Sequence, residues 1–558
     1  MLRPKPGMVE MISRLPLAFT PKSLSVLKEG YDATKLRADI LAGLTVAIVA
    51  LPLSMALGIA SGASPDKGLV TAVVAGLLIS ALGGSRVQIG GPTGAFVVVV
   101  FNVIARHGYD GLVLATLIAG VFLIIAGYAR LGRFVRFIPH PVVTGFTAGI
   151  AVIIATSQVK DFLGLRMTNV PADFIPKWEG YYGAISSVST VTLGVGGAAL
   201  ALILILRRVA PRAPGFLIAV VAASAAVALL KLPVDTIGSR FPHMASGVPM
   251  PHFPAVSLAK VQEVLPSAFT IAFLAAIESL LSAVVADGMT GFRHRSNQEL
   301  VGQGVANFAS ALFGGLPATG AIARTATNIK AGGRSPVAGM SHAVFVLLFV
   351  LFGFRLMAFV PMAALAAILF MVAWGMSEYR YFLGYLRMPN ADRAVLLLTF
   401  GLTVLVDLTL AIGVGVTLAS LIFMSRMSET VEIGLDGRGE DDGEDLHQRE
   451  AIPLGVEVFR ISGPFFFGVV RGLMDTFRAM GQQPRAIILR MRMVPLLDPS
   501  GTTALAGFVK QANASGTQVI LSGVQTQPME MLRRVHLDPK IGQLAFSEDY
   551  AAALHLVR

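Results

Sequence analysis

From Asp39 to Met427 the chain reads as a succession of apolar runs broken by short polar or Gly/Pro stretches. Clear runs are Ile40–Ala60, Leu112–Ala129, Val142–Val159, Thr192–Leu206, Phe216–Leu230 and Ser267–Ala286. Pro336–Phe352, Met357–Trp374 and Ala394–Met424 follow, the last long enough for two passes with Asp407 near its middle. At roughly 20 residues per span, the pattern predicts about a dozen to fourteen membrane helices. After Arg426 the pattern changes. Residues 436–450 (DGRGEDDGEDLHQRE) form an acidic, Gly-containing linker of the kind that stays solvated. Beyond it, Val456–Ile461, Ala486–Leu489 and Thr517–Leu521 read as strands, with helices near Val469–Met480 and Thr502–Gln511. These runs are too short to span a bilayer and predict an α/β domain of about 100 residues.

Composition strengthens this picture. Of 558 residues 54% are hydrophobic and only 14% charged, against about 25% charged in soluble domains, and the mean hydropathy is +0.71. A net charge of +12 would suggest nucleic acid in a soluble protein. Here the basic residues cluster between apolar runs: Arg130, Arg133 and Arg136; Arg207, Arg208 and Arg212; Arg293 and Arg295; Lys330 and Arg334; Arg380, Arg387 and Arg393. With fourteen spans and a cytoplasmic N-terminus every cluster falls on the cytoplasmic side, as the positive-inside rule requires; shifting the count by one helix breaks the agreement. No nucleic-acid partner is expected. Cysteine is absent, which excludes disulfides, thiolate metal sites and thiol catalysis. The first thirty residues lack a compact apolar core with a small-residue cleavage site, so the first long run reads as a retained helix.

Two places interrupt the full-length runs. Residues 83–96 read GGSRVQIGGPTGAF and residues 314–324 read GGLPATGAIAR. Each has paired glycines, a proline, then Thr-Gly-Ala: Thr93-Gly94-Ala95 and Thr319-Gly320-Ala321. They occupy comparable positions in two halves, 33–232 and 258–428. Gly/Pro-broken segments in corresponding halves point to the binding site of an inverted-repeat transporter. A helix that starts inside the membrane exposes free N–H groups and a positive dipole end; lipid tolerates this only where the groups line a cavity, and two such ends together favour an anion. Tight turns or close helix crossings are the plainer alternative for each motif taken alone.

Three ionisable residues lie within the runs. Glu278 has apolar neighbours on both sides, and a carboxylate at that depth is costly and functional by default; a helix–helix hydrogen bond is the competing reading. Arg324 opens the short helix after Thr319-Gly320-Ala321 and could hold a fixed positive charge for an anion, with snorkelling to the interface as its alternative. Asp407 reads as structural, at a turn between the last two spans. Asp287, Arg293, His294 and Arg295, with Asn297 and Glu299, read as a solvated face or a gate brace without a substrate role. The nine histidines show no metal-ligand spacing, no cofactor is implied, and no GxxxxGK[ST] motif is present to support ATP-driven transport. No nucleophile–base or metal constellation supports an enzyme.

GGSRVQIGGPTGAF, AAIESLLSAVVADGMTG, SNQELVGQGVAN and GGLPATGAIARTATNIKAGGRSPVAG resemble the SulP (sulfate permease-like) anion transporter family, and the C-terminal part resembles a STAS domain. The resemblance covers nearly the whole chain and is nearest to the bacterial proton-coupled dicarboxylate transporters. It implies a polytopic α-helical membrane protein of fourteen transmembrane helices in two inverted seven-helix repeats, divided into core and gate domains, plus a cytoplasmic α/β STAS domain. The implied layout is 1–32 cytoplasmic, 33–430 transmembrane, 431–450 linker and 451–558 STAS. The anion would bind between the N-termini of the third and tenth helices, with the core moving as an elevator. The implied binding residues are Leu53, Leu57, Thr93, Gly94 and Ala95 from the first half. From the second they are Gly320, Ala321, Ile322, Ala323 and Arg324. Leu53 stands where relatives often have glutamine.

Sodium-coupled bicarbonate relatives place an aspartate at the position of Glu278 and a hydroxyl residue at that of Ile322. Ile322 cannot ligate sodium through its side chain, so the resemblance implies proton coupling, through Glu278 and Ser282. In the STAS signature loop, Asp498-Pro499-Ser500-Gly501, Pro499 occupies the position phosphorylated in anti-sigma antagonists, leaving Asp498, Ser500 and Gly501 as loop residues without that switch. The expected function is proton-driven uptake of a small anion, a dicarboxylate such as succinate or fumarate. Sulfate, bicarbonate or chloride transport is the alternative, and an uncoupled anion channel a further one. The expected setting is the lipid bilayer of a bacterial inner membrane, both termini cytoplasmic, as a homodimer with a possible cytoplasmic protein partner for the STAS domain.

Overall fold

The structure is a computed structural model that describes residues 17–133, 139–167, 170–171, 173–211, 213–242, 247, 249–254, 256–406, 408–429, 432–435, 452–466 and 483–557. The sequence-based expectations for Asp407, Arg136, Arg212, the 436–450 linker and the helix at 469–480 lie outside the described residues. The chain divides into two compact units, residues 1–417 and 418–558.

The helices of the first half are α1 (Ala33–Ala60), α2 (Pro65–Leu82), α3 (Gly94–Tyr128), α4 (His140–Leu163), α5 (Thr190–Val209) and α6 (Gly215–Leu230). Those of the second are α7 (Leu258–Thr290), α8 (Ser296–Leu312), α9 (Ile322–Lys330), α10 (Pro336–Leu348), α11 (Met362–Met376), α12 (Asn390–Leu405) and α13 (Leu408–Glu429). Nine helices among the described residues are long and apolar enough to cross a membrane. The 35-residue α3 is two segments joined at Gly108, whose φ of 70° is left-handed. Counted so, each half contributes seven segments, and in each the third begins at the Thr-Gly-Ala motif.

Local chemistry sets the helix limits. Asp32 caps α1 by accepting from Lys35 N, and Ser257 caps α7 by accepting from Lys260 N. Pro65 and Pro336 stand at the first positions of α2 and α10, where a missing N–H is harmless. Gly164 and Gly291 end α4 and α7 in the left-handed conformation. Asp39, fully buried in α1, reaches across to the start of α10, accepting from Arg334 N at 2.8 Å and from Ser335 N at 3.2 Å.

Helices α3 and α8 cross at paired glycines. A Cβ on Gly120 would lie 2.7 Å from Gly304 O, and one on Gly304 would lie 2.6 Å from Gly120 O. Only hydrogen lets the two backbones approach this closely, the small-residue packing that replaces hydrophobic association inside lipid.

The second unit holds a five-stranded sheet in the order β3 (Glu432–Leu435), β4 (Val456–Ser462), β5 (Ala486–Met493), β6 (Gln518–Ser522), β7 (Leu544–Ser547). The β3–β4 pair is antiparallel and the rest parallel. The run AIIL in β5 is buried throughout, as parallel strands covered on both faces require. Ile487 and Leu489 face a core with Leu505, Phe508 and Leu532, whereas Ala486 and Ile488 face Tyr550, Ala553 and Leu554. Helix α14 (Pro499–Ala514) supplies Leu505 and Phe508, α15 (Thr526–Arg534) supplies Leu532, and α16 (Tyr550–His555) covers the other face.

Candidate functional site

The glycine pair before the first Thr-Gly-Ala motif meets the second motif directly. Gly90–Gly91 (β1) and Thr319–Gly320 (β2) form a two-residue antiparallel ribbon with Gly90 opposite Gly320 and Gly91 opposite Thr319. The pairing extends outward: Ala321 N donates to Ile89 O at 2.8 Å, and Ile89 N donates to Thr325 Oγ1 at 3.1 Å. Each strand then runs into a helix start, β1 through Pro92 and Thr93 into α3, and β2 through Ala321 into α9. Neither cap residue, Thr93 or Ala321, makes a side-chain capping bond. The first N–H groups of a helix have no acceptor within it, so Gly94 and Ala95 on one side, and Ile322, Ala323 and Arg324 on the other, present free donors. The antiparallel ribbon is what an inverted relation between the halves produces. Gly94, Ala95, Gly320 and Ala321 are buried, whereas Ile322 is 38% exposed and Ala323 is exposed beside it.

Arg324 stands behind the ribbon at 2% exposure. Its Nη2 donates to Ser54 Oγ on α1 at 3.1 Å, and Nε and Nη1 have no hydrogen-bond partner. Nη1 lies against the Cα of Gly91, where a Cβ would come within 2.2 Å. The side chain is buried among helices and does not snorkel. Leu53 and Leu57 flank Ser54 on α1 and are buried as well, at 8% and 2%.

Helix α7 backs the ribbon from the other side. Thr319 Oγ1 donates to Ala275 O at 3.0 Å, and Ser282 Oγ lies 3.4 Å from Thr325 Oγ1. Glu278, 8% exposed, sits between these two ties, about one helical turn from each. The geometry therefore brings Glu278 and Ser282 to the same face of α7 as the ribbon and α9.

The sequence pattern missed the part played by α8. Glu299, grouped with a solvated turn, is 1% exposed. Its Oε2 accepts from Gly84 N at 2.8 Å and Ser85 N at 3.2 Å, in the loop that leads into β1. Asn307, two turns on, accepts from Ala318 N at 2.8 Å and donates to Ala318 O at 2.8 Å, immediately before β2. One helix thus holds the approach to both strands. The signal was present as Glu299, Gln303, Asn307 and Ser310, a polar stripe at helical spacing in an otherwise apolar and small-residue helix. The rest of the turn behaves as a brace: His294 N donates to Asp287 Oδ2 at 2.9 Å, Arg295 Nη1 donates to Thr20 O at 2.6 Å, and Asn297 Oδ1 accepts from Gly132 N at 3.2 Å.

No cluster of His, Cys, Asp or Glu among the described residues could hold a metal ion. A cleft lined by Val99, Asn102, Val103, Arg106, Ser267, Thr270 and Leu408 opens between α3, α7 and the start of α13, further along α3 than the ribbon and nearer the start of α7. In the STAS loop, Asp498 is the cap of α14: Oδ1 accepts from Gly501 N at 2.6 Å, and Ser500 Oγ donates to Oδ2. Pro499 fills the first helical position.

The sulfate permease family model matches residues 36–399, and the STAS domain model matches residues 450–553. The chain is 41% identical over 532 residues to the Bacillus subtilis (strain 168) protein named "Putative sulfate transporter YvdB", covering 94% of this chain and 98% of that one. It is 32% identical over 532 residues to the bicarbonate transporter BicA of Picosynechococcus, covering 91% and 92%. Among solved structures, the transmembrane domain of a cyanobacterial bicarbonate transporter BicA aligns with a TM-score of 0.62 at 31% identity, over 70% of this chain and 98% of that one. The murine solute carrier 26 family member A9 anion transporter shares the fold with a TM-score of 0.83 at 18% identity, over 100% and 96%. The chain belongs to the sulfate permease family and is a multi-pass anion transporter, not an enzyme, carrying a STAS domain.

Proposed function

We propose that the protein takes up a small oxyanion by proton symport, binding it at the ribbon between the starts of α3 and α9 and carrying the coupled proton on Glu278. One observation carries the reading: two helices start from the two strands of one ribbon, beside a guanidinium that is 2% exposed and has two unpartnered nitrogens. A buried cation without a carboxylate partner is strongly unfavourable, and an anion is the ligand that relieves it. The contacts come from Thr93, Gly94 and Ala95 on one side and Gly320, Ala321, Ile322, Ala323 and Arg324 on the other, with Leu53 and Leu57 as apolar wall. Glu278 is the buried carboxylate next to that site, with Ser282 one turn on, and the Ile322 side chain offers no oxygen for sodium.

The substrate class follows the relatives more closely than the dicarboxylate expectation: their names give sulfate and bicarbonate, and no side chain at the ribbon calls for a second carboxylate. Transport proceeds with the ribbon, α7 and α9 moving together as the elevator part of a homodimer in the bacterial inner membrane, both termini cytoplasmic. The STAS domain binds a cytoplasmic partner without a phospho-switch at Pro499.

The test is uptake into proteoliposomes of labelled hydrogencarbonate, sulfate and succinate, with and without an inward proton gradient. Glu278→Gln is expected to abolish accumulation against a gradient while anion exchange persists. Undiminished uphill uptake by that variant would remove Glu278 from the coupling.

A further inference from the structure

The ribbon site presents its ligand with donors: helix-start N–H groups and a guanidinium. A buried carboxamide whose oxygen has no hydrogen-bond partner lies beside β2. Gln88, 3% exposed, precedes β1, and its carboxamide lies across the Cα of Gly320, where a Cβ would fall 1.6 Å from Nε2.

The orientation of that carboxamide is dictated from α8. Glu299 accepts from Gly84 N and Ser85 N through Oε2, and from Gln303 Nε2 through Oε1 at 2.9 Å. Both oxygens of this carboxyl group are thus taken up as acceptors of N–H donors. The Ser279 hydroxyl, 3.0 Å from Glu299 Oε1, must therefore give its single proton to Glu299. Its oxygen is then left as an acceptor, so the carboxamide turns its nitrogen to Ser279, at 3.3 Å. Gln88 Oε1 is left buried without a hydrogen-bond partner. The polarity of the whole chain, Gln88 to Ser279 to Glu299, follows from the N–H donors that already occupy the Glu299 oxygens.

We propose that Gln88 Oε1 is the acceptor of the anion site, so that the protein selects an oxyanion that retains a proton. Hydrogencarbonate and the singly protonated form of a dicarboxylate qualify; sulfate and chloride do not. An anion bearing a hydroxyl satisfies the donors with its charged oxygens and the Gln88 carbonyl with its proton. An anion without one sets negative charge against a carbonyl oxygen, a repulsive element that separates the two classes. Glu299 does not touch the substrate; it is a positioning residue that acts through Ser279. The inference rests on the anion-site reading given under Proposed function.

The experiment measures KM and maximal rate for hydrogencarbonate, sulfate and chloride with the full-length protein in liposomes, and succinate uptake as a function of pH. The wild type is expected to prefer hydrogencarbonate, and its succinate uptake to track the singly protonated form. Gln88→Met, which keeps the length of the side chain without its polar end, is expected to raise KM for hydrogencarbonate at least tenfold. With the repelling carbonyl gone, its KM for sulfate and chloride should fall, so that the preference for hydrogencarbonate is lost. Ser279→Ala, which frees the carboxamide to turn, should give a smaller shift of the same kind, and Glu299→Gln the same shift if the variant folds. Equal losses for all three anions in Gln88→Met, unchanged selectivity, or an effect confined to proton-driven accumulation would each overturn the assignment. A wild type that moves none of these anions would overturn the transport reading itself, an outcome distinct from a wild type that transports all of them without discrimination.

Discussion

A Thr-Gly-Ala triplet marks the start of both α3 and α9, and the two starts do different work. The start of α3 is locked in: a Cβ on Gly94 would lie 2.6 Å from Met376 Sδ and 3.2 Å from Ile154 Cδ1, and the first turn of this 35-residue helix carries no charge. The start of α9 belongs to a helix of nine residues, leaves Ile322 and Ala323 exposed, and places Arg324 at its third position. Both ends present the positive pole of a helix, equivalent to about half an elementary charge. A repeated motif therefore supplies two dipoles, whereas the guanidinium and the exposed face are confined to the second copy. On the binding reading proposed above, the first copy is the fixed wall of the site and the second its charged half.

The largest expected effect tests that asymmetry. Unpairing a buried charge contact costs about 2–5 kcal/mol, so Arg324→Gln should lower kcat/KM for the anion roughly thirtyfold or more. Thr93→Val, at the corresponding start of α3, should lower it by no more than about threefold. Equal losses in uptake assays would make the two halves equivalent partners. Next come the glycines. Gly320→Ala drives a methyl into the Gln88 carboxamide, whereas Gly94→Ala meets the end of the flexible Met376 side chain. Uptake by the first should fall about tenfold and by the second about twofold, since overpacking costs about 1–3 kcal/mol where neighbours cannot move; the reverse order would exchange the roles of wall and binding half.

Smaller effects fall on stability. Gly120→Leu separates α3 from α8 and should destabilise by about 1–3 kcal/mol, read as a lower melting temperature in detergent, with uptake falling in proportion to folded protein. Thr319→Val removes the bond to Ala275 O, worth about 0.5–1.5 kcal/mol, and should leave KM unchanged. A large KM change there would extend the binding half onto α7.

The comparison also separates what the sequence makes readable from what it hides. The echo of Thr93-Gly94-Ala95 in Thr319-Gly320-Ala321 was visible because glycine and proline punctuate apolar runs. So was the α/β domain, because Ala486–Leu489 and Thr517–Leu521 are bounded by polar turns. The pairing of Gly90 with Gly320 was not visible, since two-residue strands carry no periodicity. Glu299 was misplaced for a different reason. It follows Arg293, His294 and Arg295, and a charged residue beside other charged residues counts as solvated unless its partners are known. Those partners are backbone N–H groups at Gly84 and Ser85, which every sequence possesses and none advertises. The apolar spans also gave no facing: in α1 and α7 nearly every position is compatible with lipid, so burial of Ser54, Ser279 and Ser282 emerges only from packing.

The ribbon also has a consequence for biosynthesis. Ile89 is bonded to Thr325, 236 positions later in the chain. Ribosomes add about 5–20 residues per second, so roughly ten to fifty seconds separate the emergence of the two strands. Throughout that interval the first half resides in the bilayer with β1 unpaired and the start of α3 incomplete, a polar edge that lipid does not satisfy. The first half is thus an unfinished product until residue 320 arrives. The insertion machinery must shelter that edge while it waits, and the pace of translation becomes one of the conditions under which the site is made.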